Sequence, residues 1–193
     1  MTSSELLEEV RKITQANLDS LKKKFSHLSI EQKIWRSAEN TWNVQEVFAH
    51  LNEYARFYHE AFLTRISKTR FTEPKENFLS SPLGRSAWNS MKLGNAKNVK
   101  RKFKASRAYN PSIETSLVDG NDIERFRTGQ EQLLEIIENA RNVNIRKVRV
   151  PLSMSKIIKL RLGDALLYVA YHNERHMQQA LNVITHPKFP KKK

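Results

Sequence analysis

Two histidines four residues apart, in Tyr171-His172-Asn173-Glu174-Arg175-His176, are the residues of this chain best spaced to do chemistry together. On a helix that spacing puts them on one face, so two imidazoles can aim at one point. They fall where core residues belong, because the apolar stripe of the segment runs Ala165, Val169, His172, His176, Gln179 or Ala180, and Val183. A third histidine, His50, occupies the inward stripe of another segment, between Val47 and Tyr54. A buried imidazole needs partners for both ring nitrogens, since an unpaired buried polar group costs about 1–3 kcal/mol. A divalent ion satisfies several at once, and three imidazoles leave a fourth position free, as in catalytic rather than structural zinc. The alternative is that these are core histidines bonded to carbonyls, tyrosines or carboxylates. Spacing leaves both open.

His59 lies on a different face from His50, while His27 and His186 sit near helix ends; each is expected to be a surface or capping residue. For acid or base work near the ligands the candidates are Glu46 and Tyr54, one turn before and after His50, and Gln179, three residues after His176. Tyr54 and Gln179 are the pocket candidates. Glu46 has a competing task as the capping-box partner of Asn43. Glu174 and Arg175 are expected to project away from the cluster, with Arg175 in a structural ion pair. Trp42 is expected to pack where the chain enters its helix. The chain contains no cysteine, so thiolate ligands, thiolate nucleophiles and disulfides are excluded.

The elements that must position these residues are helices. A length of 193 residues, 39% hydrophobic content, 5 glycines and 6 prolines fit one mainly helical domain. Thr2-x-x-Glu5 reads as a capping box opening a helix to about Ser29, its stripe of Leu6, Val10, Ile13, Leu21, Phe25 and Leu28 interrupted by Asn17. After a short linker with Ile34 and Trp35, Asn43-x-x-Glu46 opens a second helix to about Ile66, burying Val47, His50, Leu51, Tyr54, Tyr58 and Phe62. Residues 67–120 form a long, irregular connection with a short helix around Arg85 to Leu93, long enough to cross over a bundle. A third helix runs from Asn121 or Asp122 to about Ala140 on a stripe of Ile123, Phe126, Gln130, Leu133, Ile137 and Ala140. Residues 145–152 alternate like a strand, with sheet pairing left open. A fourth helix starts after Gly163 with Asp164 as its cap and ends near Thr185, before Pro187. The expected fold class is all-α, a four-helix bundle with a long crossover between the second and third helices. Residues 1–187 form one domain and 188–193 a basic tail.

The net charge of +14 is unevenly placed. Residues 77–113 carry eight basic and no acidic residues, residues 139–163 seven and none, and residues 188–193 four lysines. The expected helices are mildly acidic by contrast. A nucleic-acid binder using these connections, with Phe103 and Tyr109 as stacking residues, is one alternative function, and solvated loops or recruitment of an anionic substrate the favoured one. No stretch approaches the roughly 18 apolar residues of a spanning helix, and the polar start has no signal-peptide core, so a cytoplasmic protein without a membrane partner is expected.

Thr41-Trp42-Asn43-Val44-Gln45-Glu46-Val47-Phe48-Ala49-His50-Leu51 resembles a family pattern of tryptophan, capping residue, then E-V-x-x-H-L. Leu162-Gly163-Asp164-Ala165-Leu166, followed by His172 through Gln179, resembles the closing L-G-D-A-L and H-x-x-R-H-x-x-Q of the same DinB/YfiT-like family. With the basic stretch from Lys100 to Tyr109 before Pro111, the resemblance spans roughly residues 5–186. It implies a four-helix bundle of unusual helix order, often a homodimer, holding zinc or nickel on His50, His172 and His176. It also implies activity on a small-molecule substrate, either transfer or isomerisation with a low-molecular-weight thiol as co-substrate, or hydrolysis. A metal-free bundle that binds a small ligand is the alternative within the fold.

Overall fold

The structure is a computed structural model and describes residues 1–94, 105–153 and 155–191. Phe103, with the first half of the Lys100 to Tyr109 stretch, and the last two lysines lie outside the described residues. Helix α1 (Ser3–Ser20) opens on the expected box, in which Thr2 Oγ1 accepts from the Glu5 amide at 3.0 Å and Glu5 Oε2 from the Thr2 amide at 2.7 Å. It does not reach Ser29. A π-helical turn over Leu21–Phe25 ends it, and Ser29 caps a short helix instead, α2 (Ile30–Ile34), in a further box with Gln32. The Ser29-x-x-Gln32 signal stood in what the sequence reading treats as linker.

Helix α3 (Val44–Ser67) starts on the Asn43/Glu46 box, with both reciprocal bonds at 2.9 Å. Helix α4 (Pro82–Met91) lies in the long connection, three residues ahead of its expected start. Helix α5 (Asp122–Ala140) follows a turn at Gly120, whose φ of +88° suits glycine. Strand β1 (Arg149–Leu152) pairs antiparallel with β2 (Ser155–Arg161), and α6 (Leu162–Ile184) closes the order. The fold is therefore mainly helical with a small sheet rather than all-α. Strand β2 carries no alternating signature, because Ile157 and Ile158 are adjacent and both exposed.

Helix α1 packs on α5 and α6, and α3 packs on the same two, while α4 lies against α6. Two apolar clusters fill the interior. One gathers Leu6, Val10, Tyr58, Phe62, Leu133, Ile137 and Leu166; the other Leu21, Phe25, Val47, Leu51, Phe126, Met177 and Val183. Along each long helix buried polar residues separate the two. They are Asn17 on α1, His50 on α3, Gln130 on α5 and His172 on α6, beside the half-buried His176. Asn17 and Gln130, the polar members of two apolar stripes, hydrogen-bond each other at 3.2 Å. The histidines thus belong to a polar layer between two hydrophobic halves.

Asp164 does not cap α6. That helix begins at Leu162 with Arg161 as N-cap and no side-chain cap bond. Buried Asp164 instead accepts from the amide and hydroxyl of Ser81, both at 3.1 Å, and so ties the start of α4 to α6. The preceding Gly163 is required by close approach, since a Cβ there would lie 2.5 Å from the Phe78 ring.

Candidate metal centre

His50 from α3 and His172 and His176 from α6 converge. One ring nitrogen from each lies within 4.8 Å of the others, and this is the one such His, Cys, Asp or Glu group among the described residues. Nε2 of His50 and Nε2 of His172 are 3.3 Å apart. The ring centroids are 5.2 Å apart for His50 and His172, 4.5 Å for His50 and His176, and 4.6 Å for His172 and His176. His50 and His172 are buried, while His176 keeps an accessible edge.

Two of the imidazoles have their protons assigned by their surroundings. The Tyr109 carbonyl lies 2.5 Å from His50 Nδ1 and can only accept, so neutral His50 carries its proton there and leaves Nε2 as a bare lone pair. Gln179 Oε1, 2.9 Å from His176 Nδ1, does the same for His176. An outer acceptor on one nitrogen that turns the other toward a common point is the usual support of a metal-ligating histidine. Burial favours the neutral form in all three. It lowers the His50 pKa to about 4 against the opposing pull of the Tyr109 carbonyl. Burial first, and the neighbouring imidazoles after it, hold His172 and His176 well below the ordinary histidine range. All three imidazoles are held neutral at neutral pH.

Two nitrogens each about 2.0–2.1 Å from one tetrahedral zinc stand about 3.4 Å apart, close to the His50–His172 spacing. The three residues can therefore hold a divalent ion without large movement of that pair.

Tyr54 lies at the cluster, its ring 4.1 Å from that of His172 and 4.9 Å from that of His50. Gln179 also belongs to it, through His176. The Glu46 carboxylate is taken up by the capping box and by Arg36, whose Nη2 lies 2.7 Å from Oε1. Arg175 is buried and Glu174 half-buried.

Trp42 does more than pack at the start of α3. It is half-buried, with its ring 4.9 Å from His50 and 6.0 Å from His176, nearly parallel to the latter. Tyr109 is also a site residue that sequence reasoning missed, since its ring covers Tyr54 at 4.7 Å while its backbone holds His50. No spacing rule connects positions 50 and 109. His59 is the clearest correction. It is buried, its Nδ1 2.9 Å from Gln132 Oε1 on α5, and burial lowers its pKa. His27 is exposed, and half-buried His186 sits against Trp35 at 5.3 Å.

A mainly helical protein that brings three histidines from two helices to one point belongs to the class that can bind a metal in its interior. The sequence model of the DinB superfamily matches residues 6–180, and the chain belongs to that superfamily. No curated protein and no solved structure matches it. No described helix is long and apolar enough to cross a membrane.

Proposed function

We propose that this protein is a divalent-metal-dependent enzyme, with His50, His172 and His176 as the ligands of zinc or nickel, acting on a small molecule. The observation that carries the reading is the convergence of three inward imidazoles, two of them with outer acceptors at Nδ1. Three neutral ligands leave the ion its full double charge and a free fourth position, and such an ion supplies a Lewis acid that lowers the pKa of a bound nucleophile.

The chain's own residues define the rest. Trp42, Gln179 and the accessible edge of His176 mark the open side of the cluster; buried Tyr54 and Tyr168 mark the closed side. With no cysteine in the chain, a thiol used in the reaction arrives as a low-molecular-weight co-substrate. Thiol-dependent transfer is the first chemistry proposed and hydrolysis the second. We read α1, α3, α5 and α6 as a four-helix bundle with residues 68–121 as its crossover, and the protein as a cytoplasmic homodimer. The basic connections serve anionic small molecules in preference to nucleic acid, because Tyr109, one of the two aromatic residues in the basic stretch, is engaged with Tyr54 and His50.

Untagged protein purified without chelator, analysed for metals, tests the reading. About one divalent ion per chain, lost in a His172→Ala variant that still folds, is the expected result. Metal-free protein that takes up neither zinc nor nickel on dialysis sinks it in favour of a metal-free ligand-binding bundle.

A further inference from the structure

The three histidines are not supported in the same way. His50 and His176 each donate from Nδ1 to an oxygen, whereas Nδ1 of His172 has no hydrogen-bond partner among the described residues. An outer acceptor ordinarily fixes the tautomer and rotation of a ligand imidazole. In its place His172 has two rings almost parallel to its own. Tyr54 of α3 lies at 4.1 Å with an interplanar angle of 24°, and Tyr168, one turn earlier on α6, lies at 6.0 Å with an angle of 19°.

The two tyrosines are anchored in turn. Both pack on Tyr58, whose ring lies 6.2 Å from that of Tyr54 and 5.9 Å from that of Tyr168. Ser153, in the turn between β1 and β2, donates its backbone N–H to the Tyr58 hydroxyl at 3.2 Å. The hairpin therefore fastens, through Tyr58, the aromatic pair that holds His172.

We propose that Tyr54 and Tyr168 are positioning residues that align His172 by ring stacking in place of a hydrogen bond, with the β1–β2 turn as their anchor. The inference rests on the metal reading of the three histidines. Stacking restrains the plane of the imidazole and does not involve the tyrosine oxygen, so the aromatic ring is what matters and phenylalanine can substitute for it. An aliphatic side chain cannot.

Cobalt-loaded parent protein and the variants Tyr54→Phe, Tyr54→Leu and Tyr168→Leu test this. The phenylalanine variant should keep its cobalt affinity within about threefold and its visible spectrum unchanged, while the leucine variants lose about 10–100-fold in affinity and shift the visible band. A purely structural role would lower the melting temperature of the leucine variants and leave affinity and spectrum alone; that result overturns the proposal. Imidazole nitrogen spectra of the metal-free proteins give a second readout. His172 should give sharp ring signals in the parent and in Tyr54→Phe, and exchange-broadened ones in the leucine variants, whose imidazole is free to rotate. If the parent takes up no cobalt, the metal reading falls, and these spectra alone decide the positioning role: a His172 signal unchanged by both leucine substitutions overturns it.

Discussion

Gly84 and Asp164 compete for one volume: a Cβ built on residue 84 would lie 2.1 Å from Asp164 Oδ2. The carboxylate sits against the first turn of α4, where it accepts from the Ser81 amide and hydroxyl while Ser81 Oγ accepts from the Gly84 amide at 3.0 Å. A buried anion at a helix N-terminus is favoured by the dipole and by charge-assisted bonds, and here it docks α4 onto α6. Gly84→Ala should therefore cost about 1–3 kcal/mol by overpacking, visible as a melting temperature lower by about 2–12 °C. An unchanged melting temperature would mean that α4 shifts freely and that Asp164 is not a rigid anchor.

The histidine variants separate metal binding from folding. His50→Ala, His172→Ala and His176→Ala should each abolish metal retention through gel filtration, with stability changes of about 0.5–3 kcal/mol. His59→Ala should do the reverse. It removes a buried imidazole bonded to Gln132 and opens space beside Gly129, so it should lower stability by about 1–3 kcal/mol while metal content stays at the parent value. Metal loss in His59→Ala equal to that of the cluster variants would remove the case for a three-residue site.

The contrast between His50 and His59 also shows how far the sequence can be read. The stripe containing His50 was legible because Val47, Leu51, Tyr54 and Tyr58 repeat with the helical period beside it. His59 was misplaced because α3 is buried on a second face as well, against α5, and a single stripe does not reveal that. The type and position of Asp164 suggest a cap, yet its partner Ser81 is far away in sequence and only packing brings it there. Tyr109 and Ser153 share that character. Both reach the site from connections, where no period exists to read, and both act partly through backbone groups that carry no residue signature.

Acid should weaken the metal-free protein, with a definite sign. The folded pKa of His50 is lowered to about 4, and those of His172 and His176 are lowered well below the ordinary range. The unfolded chain titrates these groups near the ordinary value of about 6.5 and so binds protons that the folded chain refuses. Their stability contribution is complete above that pH and declines as pH falls, for His50 until about 4. Between pH 7.5 and 5.5 each such histidine should cost about 1.3 kcal/mol, or about 4 kcal/mol for the three. Urea midpoints of metal-free protein at the two pH values check this, with the difference in the His50→Ala variant expected to be smaller by about 1.3 kcal/mol. Equal midpoints would show that the imidazoles are not held neutral by burial.

The last prediction concerns the chemistry of the open side. If thiol transfer is the reaction, a low-molecular-weight thiol should occupy the fourth position directly, because the chain has no sulfur nucleophile of its own and the three imidazoles leave that position free. Cobalt makes the contact visible. In cobalt-loaded protein, titration with a simple thiol should add a sulfur-to-metal charge-transfer band that saturates, since a thiolate is an acceptable ligand beside imidazole. The apparent affinity should rise about tenfold per pH unit below the thiol pKa, because the thiolate is the binding form, and level off above it. Trp42 reports on the same event independently. Its ring lies 4.9 Å from His50, so its fluorescence should change when metal binds, and a Trp42→Phe variant should lose that change while keeping the charge-transfer band. His50→Ala should lose both. If saturating thiol leaves the spectrum of fully loaded protein unchanged, thiol transfer is excluded. Hydrolysis, with water as the nucleophile at the same position, then becomes the reaction to test.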